Sequence, residues 1–265
     1  MTERVASRRT GPGLLRGYYL VLLALLYLPI VILFIFSINA NETISFPLKG
    51  FTLQWYQHAL ANQSLIDAAL TSLQVAIGSS VVATILGTAV ALLLARYEFR
   101  AKWLFAGLAV LPLIVPAVVL AVAMLVLFRA LDVSLSALTI AAAHAVIALP
   151  FTTLIVFSRL IGFDRRMEEA AMDLGATYAG TLRLVVLPII APAIFAAFLV
   201  AFTVSFDEVA LALFLAGSDP TFPVYLAGNI RFSGSVPVLV AAAVMLMTAS
   251  LTVLLLAERV RRLRP

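Results

Sequence analysis

The chain has 265 residues, of which 63% are hydrophobic and only 12% are charged, and its mean hydropathy is +1.11. A soluble domain carries about 45–50% apolar and about 25% charged residues, so this composition excludes a water-soluble globular protein and a disordered chain. The absence of cysteine excludes disulfides and thiolate metal sites. The net charge of +5 does not indicate nucleic-acid binding, because the basic residues stand between apolar runs.

Six apolar segments are each long enough to cross a bilayer. A span needs roughly 20 apolar residues, because about 30 Å of hydrocarbon is crossed at about 1.5 Å per residue. Backbone groups in lipid must be satisfied within the segment, which favours helices over short alternating strands. The predicted spans are residues 18–38, 68–95, 103–128, 133–158, 189–213 and 236–257. The predicted fold class is therefore an all-α membrane protein with six transmembrane helices.

The distribution of positive charge predicts the orientation of these helices. Fifteen of the 18 Lys and Arg residues fall before the first span, in 96–102, in 159–183 or after residue 257. Only Lys49, Arg129 and Arg231 fall in the connections on the other side. The positive-inside rule therefore places both termini and the loop 159–188 in the cytoplasm.

The predicted organisation has three regions. Residues 1–17 form a cytoplasmic N-terminal segment, residues 18–257 a six-helix membrane domain, and residues 258–265 a basic cytoplasmic tail. A cleaved signal peptide is the alternative interpretation of the first span. We expect an uncleaved anchor, because the apolar run is too long for a signal peptide and no A-x-A site follows it.

Motifs for catalysis and for nucleotide binding are missing from the sequence. No G-x-x-x-x-G-K-[ST] loop is present, so the chain itself cannot hold ATP in a P-loop. Ser233-Gly234 lacks the leading glycine of a G-x-S-G turn, which weakens a membrane-embedded hydrolase as an interpretation. His144 is the only histidine within a span, and a metal site needs three or four ligands. We therefore predict no catalytic or metal residue, and favour a packed, hydrogen-bonded role for His144.

The loop 159–188 carries the longest charged stretch, and its first half predicts a short helix. Asp164 is a suitable N-cap, and Glu168 and Glu169 come early enough to interact favourably with the helix dipole. Gly175 stands where a left-handed residue would end the helix. A short helix that displays charged and small residues is therefore expected here.

The second half of the loop predicts another helix, capped by Thr177, which we expect to end or turn at Pro188. An amphipathic connector on the inner leaflet is one interpretation of the loop, with Arg165, Arg166 and Arg183 facing lipid phosphates. Composition alone does not separate this interpretation from docking onto a protein.

The pattern of the loop does separate them. Glu169-Ala170-Ala171, Gly175 six residues after the glutamate, and Val185-Val186-Leu187-Pro188 resemble the E-A-A-x3-G-x9-I-x-L-P loop of permeases from binding-protein-dependent ABC importers. The one departure, Val185 for Ile, keeps a β-branched apolar residue. The resemblance implies a six-helix permease of the type I (MetI-like) fold, whose loop couples to an ATP-binding subunit.

The same resemblance implies a role for individual loop residues. Glu169 would pair with a basic residue of the ATP-binding subunit, Ala170 and Ala171 would permit close approach, and Gly175 would supply the bend between the helices. The residues assigned to this coupling loop are Glu168, Glu169, Ala170, Ala171, Asp173, Gly175, Leu187 and Pro188.

Further segments resemble the PotC-like subgroup, the second permeases of spermidine/putrescine-type systems. They are Gly50-Phe51-Thr52-Leu53-Gln54-Trp55-Tyr56, Ser205-Phe206-Asp207-Glu208, Thr221-Phe222-Pro223-Val224 and Ile230-Arg231, with Phe222 in place of the usual Leu. An interfacial aromatic anchor is the other interpretation of Trp55 and Tyr56.

Asp207 and Glu208 are acidic residues near the end of the fifth predicted span. Asp207 lies about 27 Å along the helix from residue 189, near the outer interface, where a charge costs less than at the bilayer centre. Acids at an outer mouth would attract a cationic substrate such as a polyamine. The alternative is that they pair with Arg231 or Arg129, or cap a helix end. We assign Asp207, Glu208 and His144 to a candidate translocation path.

Two further features concern helix packing. Gly78 and Gly87, with the small residues between them, form a face suited to close contact, for which a second permease subunit is one candidate partner. Four prolines inside predicted spans are consistent with kinks in pore-lining helices, and ordinary packing kinks are the alternative interpretation of each. The four prolines are Pro112, Pro116, Pro150 and Pro192.

These observations predict a multi-pass permease subunit of a bacterial inner membrane that performs no covalent chemistry. By resemblance its partners are two copies of an ATP-binding subunit that carries ATP and Mg, a second and different permease chain, an outer solute-binding protein and membrane lipids. The chain itself would bind no cofactor and no nucleic acid. A stand-alone secondary transporter or channel is the alternative, but the sequence shows neither clear midplane charges nor an internal repeat.

Overall fold

The computed structural model describes residues 12–262, in which the regular elements are all helices and the one β-type pairing is an isolated antiparallel bridge between Asn39 and Phe51. The elements are α1 (Pro12–Ser37), α2 (Gln54–Ala61), α3 (Gln63–Arg96), α4 (Lys102–Ile114), α5 (Ala117–Ala130), α6 (Ala137–Ile161), α7 (Arg166–Asp173), α8 (Tyr178–Thr181), a π-helical turn (Leu182–Val186), α9 (Leu187–Asp207), α10 (Ala210–Leu215), α11 (Phe222–Asn229), a 3-10 turn (Ser233–Ser235) and α12 (Val236–Arg262). The predicted segment 1–17 and tail 258–265 lie partly outside the described residues.

The helices confirm the predicted all-α membrane class. Five continuous helical stretches within the described residues are long and apolar enough to cross a membrane. A sixth span exists if α4 and α5, which meet at a bend of 106°, are counted together. The described part of the chain therefore has five spans and one broken or re-entrant pair.

The third predicted span, residues 103–128, is wrong as a single straight helix. The helical path breaks after Ile114, where Val115 and Pro116 both adopt extended ψ values of 129° and 133°. Proline has no N–H to donate and disfavours helical geometry in the residue before it, so a break at Val115 has a local cause. Pro112, Pro150 and Pro192 lie inside helices that continue past them, so Pro116 is the proline at the sharp bend.

The fifth predicted span, residues 189–213, is also corrected at both ends. Helical structure runs without interruption from Tyr178 to Asp207, and the segment Ala210–Leu215 is a separate short helix. The helix capped by Thr177 therefore does not end or turn at Pro188. The π-helical turn just before α9 admits this proline, because the widened turn starts a new register in which Pro188 lies in the first turn of α9.

Residues 64–227 form one compact unit, and the described residues up to Gln63 and from Gly228 form the other. In the first unit, α6 packs along α9 and against α4, and α10 packs against α5. One apolar cluster joins α3, α5, α6 and α10 around Val75, Ile140 and Leu211. A second joins α3, α6 and α9 around Ala91 and Ile190.

Small residues allow α3 to approach α6 within this unit. A Cβ atom on Gly87 would lie 2.0 Å from Thr152 Oγ1, and the Thr152 hydroxyl donates to the Ala83 carbonyl over 2.8 Å. Gly87 and Ser79 are therefore packed against the chain's own helices, so the close contact predicted for this face is made within the chain at these two residues. Gly78 points away from it, and a Cβ atom there would have no neighbouring atom within 4 Å.

In the other unit, α1 and α2 both pack against α12. Trp55 is only 7% exposed, and its Nε1 donates to the Asn39 carbonyl over 2.8 Å. The hydroxyls of Tyr56 and Ser37 are 2.7 Å apart. The burial of Trp55 differs from the exposed ring that an interfacial anchor would present.

Candidate functional site

The short helix α7 begins two residues after Asp164, the residue predicted to cap it. Asp164 Oδ1 accepts a hydrogen bond of 3.0 Å from the Arg166 backbone N–H, which satisfies one of the free donors of the first turn. Glu168 and Glu169 both lie in that turn, where the helix dipole favours negative charge. The local sequence thus explains where α7 starts.

The end of α7 is a Schellman motif built on Gly175. Its φ is +89°, which confirms the predicted left-handed conformation. The Gly175 N–H donates to the Met172 carbonyl at 2.9 Å, and the Ala176 N–H donates to the Ala171 carbonyl at 3.0 Å. The next helix begins two residues later, where Thr177 Oγ1 accepts from the Gly180 N–H at 3.2 Å and so confirms the predicted cap.

The two adjacent glutamates of α7 have different surroundings. Glu168 is 8% exposed, and its carboxylate forms a salt bridge with the guanidinium of Arg96 at the end of α3. Glu169 is exposed. Consecutive residues of an α-helix are about 100° apart around the axis, so one carboxylate faces the protein while its neighbour faces outward.

Two further contacts join the segment just before α7 to the end of α3. The Arg96 guanidinium carbon lies 5.3 Å from the centroid of the Phe163 ring, a distance at which a cation and an aromatic face attract each other. Arg165 Nη2 donates to the Ala95 carbonyl over 2.7 Å, which satisfies one of the free acceptors at the end of α3. The salt bridge from α7 and these two contacts from the segment just before it therefore tie this part of the chain to the end of α3.

The outward face of α7 mixes apolar and acidic residues. Leu174 is 90% exposed, Met167 48% and Met172 42%. A cavity of about 220 Å³ lies beside Glu169 and is lined by Arg96, Tyr97, Arg165, Glu168, Glu169, Met172 and Tyr178. Of the other predicted loop residues, Ala170, Asp173 and Pro188 are exposed, and Ala171 and Leu187 are half-buried.

Sequence reasoning missed Arg96, Arg165 and Phe163 as partners within this site. The one signal in the sequence for a contact between Arg96 and this loop is its position. Arg96 directly follows the second predicted span, on the side of the membrane to which the loop 159–188 is also assigned. Choosing this arginine among the other basic residues on that side requires the helix packing, which the sequence pattern does not give.

His144 lies in the interior of the helical unit and not near α7. It is fully buried, and its Nδ1 is 2.9 Å from Ser205 Oγ, which also accepts a hydrogen bond of 2.8 Å from Ser79 Oγ. This network joins α6, α9 and α3. The other ring nitrogen of His144, Nε2, is buried and has no hydrogen-bond partner among the described residues.

Asp207 and Glu208 lie where α9 ends, and they differ in role. Glu208 Oε1 accepts from the backbone N–H groups of Ala210 at 2.8 Å and Leu211 at 3.2 Å, so it caps α10. Asp207 is exposed. The structure thus brings Glu208 into the helix-capping role that was the alternative for it, and leaves the Asp207 carboxylate at the surface of the chain.

The matches of this chain to known proteins agree with its helical architecture. The family model for the inner membrane component of binding-protein-dependent transport systems matches residues 83–264, more than half of the chain. The chain therefore belongs to this family of transport permeases.

Curated relatives give a narrower likeness. The chain is 36% identical to the spermidine/putrescine transport system permease protein PotC of Haemophilus influenzae, over 93% of this chain and 95% of the relative. It is 36% identical to PotC of Escherichia coli strain K12 over 94% of both chains. It is 34% identical to the putrescine transport system permease protein PotI of the same strain, over 78% of this chain and 76% of the relative. These relatives confirm the PotC-like resemblance.

The fold also matches a solved structure. A chain from the crystal structure of a bacterial ABC transporter involved in the import of the acidic polysaccharide alginate aligns with a TM-score of 0.74 at 18% identity. The alignment covers 98% of this chain and 99% of that one. The likeness confirms the predicted ABC importer permease fold.

Membership of the family has several direct consequences. The chain is a multi-pass protein of the inner membrane and belongs to a family of permeases, not of enzymes. Permeases of this family work with an ATP-binding subunit, a solute-binding protein and another permease, and need no cofactor on the permease chain. The described residues contain no group of three His, Asp or Glu residues placed to hold a metal ion.

Proposed function

We propose that this chain is the PotC-like permease of an importer that moves a small cationic amine, of the polyamine class, inward across the membrane. The observation that carries the proposal is 36% identity to spermidine/putrescine permeases along nearly the whole chain. ATP would be hydrolysed on two copies of a partner subunit. A second, different permease, an outer solute-binding protein and the surrounding lipids would complete the assembly.

The outward face of α7 supports docking of the ATP-binding subunit. Glu169 is exposed at the rim of an open cavity, and a basic side chain of the partner would find a carboxylate there. Ala170 adds little bulk, and Leu174 offers an apolar contact that is 90% exposed in this chain. A face that carries the exposed acids Glu169 and Asp173 beside apolar residues suits a specific protein contact.

The exposed carboxylate of Asp207 supports a cationic substrate. Asp207 is the last residue of α9, at the end of that helix farther from α7. The positive-inside rule assigns this end to the outer side of the membrane. A carboxylate there would raise the local concentration of an amine that carries positive charge. A pathway role for His144 requires the helices around it to separate, because its ring is fully buried in this conformation.

Purification of the tagged chain in mild detergent, followed by mass spectrometry, tests the docking proposal. We expect an ATPase and a second six-span protein to accompany the wild type, and the ATPase to be lost from Glu169→Lys. Removing one partner of a buried interfacial charge pair costs on the order of 2–5 kcal/mol, so the loss should exceed about tenfold.

A matched control uses Glu98, an acid on the same predicted side of the membrane, whose side chain is 88% exposed and forms an ion pair with Lys102 and with no other group among the described residues. Glu98→Lys should retain the ATPase, because surface pairs contribute about 0–1 kcal/mol. Equal retention of the ATPase by wild type and Glu169→Lys would contradict the assigned role of Glu169. A wild type that purifies without any ATPase would contradict the proposed assembly itself.

A further inference from the structure

The contact between α7 and the end of α3 carries an inference beyond docking. Four residues form it, and we name them together the Arg96 clamp: Arg96, Phe163, Arg165 and Glu168. The clamp is built from a salt bridge, a cation–π contact and a hydrogen bond to the Ala95 carbonyl. It lies on the inward side of α7, whereas Glu169 lies on the outward side.

The salt bridge of the clamp is buried, so its two side chains have little freedom to separate. The side chains of Arg96 and Glu168 are 8% and 11% exposed. A charge that loses its partner in such a position is penalised by desolvation, so the two groups move together more readily than apart. The planar guanidinium also meets the ring of Phe163, which fixes its orientation.

Helix α3, whose end the clamp contacts, is hydrogen-bonded to other helices of its unit. Thr152 Oγ1 on α6 donates to the Ala83 carbonyl of α3, and Ser79 Oγ donates to Ser205 Oγ on α9. Ser72 Oγ accepts a hydrogen bond of 2.8 Å from the Phe222 backbone N–H at the start of α11. A helix of 34 residues spans about 51 Å, so a displacement at Arg96 reaches α6, α9 and α11 through a single rigid element.

We propose that the Arg96–Glu168 pair is the link that carries movement of α7 into α3. Both are positioning residues: the ATP-binding subunit would push on the outward face of α7, and the clamp would convert that push into a displacement of α3. This inference rests on the proposed function, because it assumes that α7 is where the subunit docks. It assigns Glu168 and Glu169 separate tasks, with Glu168 acting inside the chain and Glu169 acting across the interface.

The nearby pair of Lys102 and Glu98 provides the matched control. Its atoms are also close, with Nζ and Oε1 2.6 Å apart, but the Glu98 side chain is 88% exposed and the pair lies within one short stretch of chain. It bridges no two distant elements. Neutralising it should therefore leave transmission unchanged.

The experiment compares variants in the complete complex reconstituted with its partner subunits. The variants are Arg96→Gln, Glu168→Gln, the charge swap Arg96→Glu with Glu168→Arg, and the control Lys102→Gln with Glu98→Gln. Three quantities are measured for each: the ATPase subunit retained on purification, the rate of ATP hydrolysis, and the uptake of radiolabelled spermidine.

We expect both single variants to retain the ATPase subunit and to hydrolyse ATP, while uptake per ATP falls by at least about fivefold, the size of a modest coupling energy. The charge swap should recover part of that loss, because it restores the ion pair but not the contact with Phe163. The control should match the wild type.

Unchanged uptake per ATP in both single variants would overturn the inference. A parallel loss of the ATPase subunit, ATP hydrolysis and uptake would also overturn it, since that pattern is the signature of residues needed only for folding. A charge swap that transports no better than the single variants would overturn it as well. Failure of the proposed function looks different, because the wild-type complex would then lack an ATPase or show no ATP-dependent uptake.

Discussion

Single residues of this permease show that neighbouring positions with the same chemistry have separate tasks. Glu168 is buried against Arg96, and Glu169, one position on, is exposed. Asp207 and Glu208 divide in the same way, with one carboxylate exposed and the other accepting two backbone N–H groups. Residue type and position along the chain do not distinguish the members of either pair, but the direction of each side chain does.

The second pair gives a prediction about substrate attraction. Asp207→Asn removes an exposed charge, and we expect the KM for a polyamine to rise by about fivefold, since a charge pair in water contributes about 1 kcal/mol at 4 Å. Glu208→Gln should change KM little, because an amide oxygen can still accept the N–H groups that start α10. The measurement is initial uptake at a series of spermidine concentrations.

Two outcomes would contradict this division. A larger rise in KM for Glu208→Gln than for Asp207→Asn would make Glu208 the substrate-facing acid. An unchanged KM in both variants would remove the outer acids from substrate attraction. Glu208→Ala, which deletes the cap, serves as the control for structural damage and should lower the thermal stability of the purified chain.

Local rules predict much of the site at this scale. The hydrogen bond accepted by Asp164, the left-handed Gly175 and the cap by Thr177 each depend on residues at most five positions apart, and the structure contains all three. The partner of Glu168 could not be predicted in this way. Arg96 lies far away in sequence, and only the packing of α3 and α7 brings the two groups together.

Small residues and prolines determine how the helices of this fold pack and bend. Small side chains let α3 approach α6, as membrane helices require when no hydrophobic force drives them together. Proline decides where a helix bends: Pro116 stands at the 106° bend, whereas Pro188 follows a π-helical turn and leaves its helix continuous. Periodicity of apolar residues predicts neither outcome, because both depend on how backbone groups find new partners.

The close approach of α3 and α6 gives a prediction about stability. A Cβ on Gly87 would meet Thr152 Oγ1 at 2.0 Å and the Thr153 backbone nitrogen at 2.9 Å. Because a backbone atom cannot be turned aside like a side chain, Gly87→Ala should destabilise the purified chain by about 1–3 kcal/mol. Thermal unfolding in detergent, followed by circular dichroism or intrinsic fluorescence, measures the change.

Gly78→Ala is the control for the same substitution in the same helix. Beyond the backbone of its own helix, no atom of the described residues lies within 4 Å of the Gly78 Cβ position. We therefore expect no loss, and a gain of about 0.5–1 kcal/mol from the lower flexibility of alanine in a helix. Equal melting temperatures for the two variants would contradict the packing described for Gly87.

The whole molecule is a membrane permease whose composition already excludes a soluble protein. Length and hydropathy predict the number of apolar segments, and the loop pattern predicts the family, because both are properties of the chain that need no packing. The family match and the relatives at 36% identity confirm the family, and the described residues contain five apolar spans, or six if the bent pair α4 and α5 counts as one. The apolar pattern predicts neither the break at Pro116 nor the helix that runs from Tyr178 to Asp207, because hydropathy carries no information about backbone geometry.

As a whole molecule, this chain should import a polyamine only as part of an ATP-driven complex. The most direct measurement is uptake of radiolabelled spermidine and putrescine by proteoliposomes that contain the chain with its co-purified partners, with and without ATP and the solute-binding protein. We predict uptake that requires both ATP and the binding protein. Uptake by the chain alone, without ATP, would contradict the account and make the protein a stand-alone transporter.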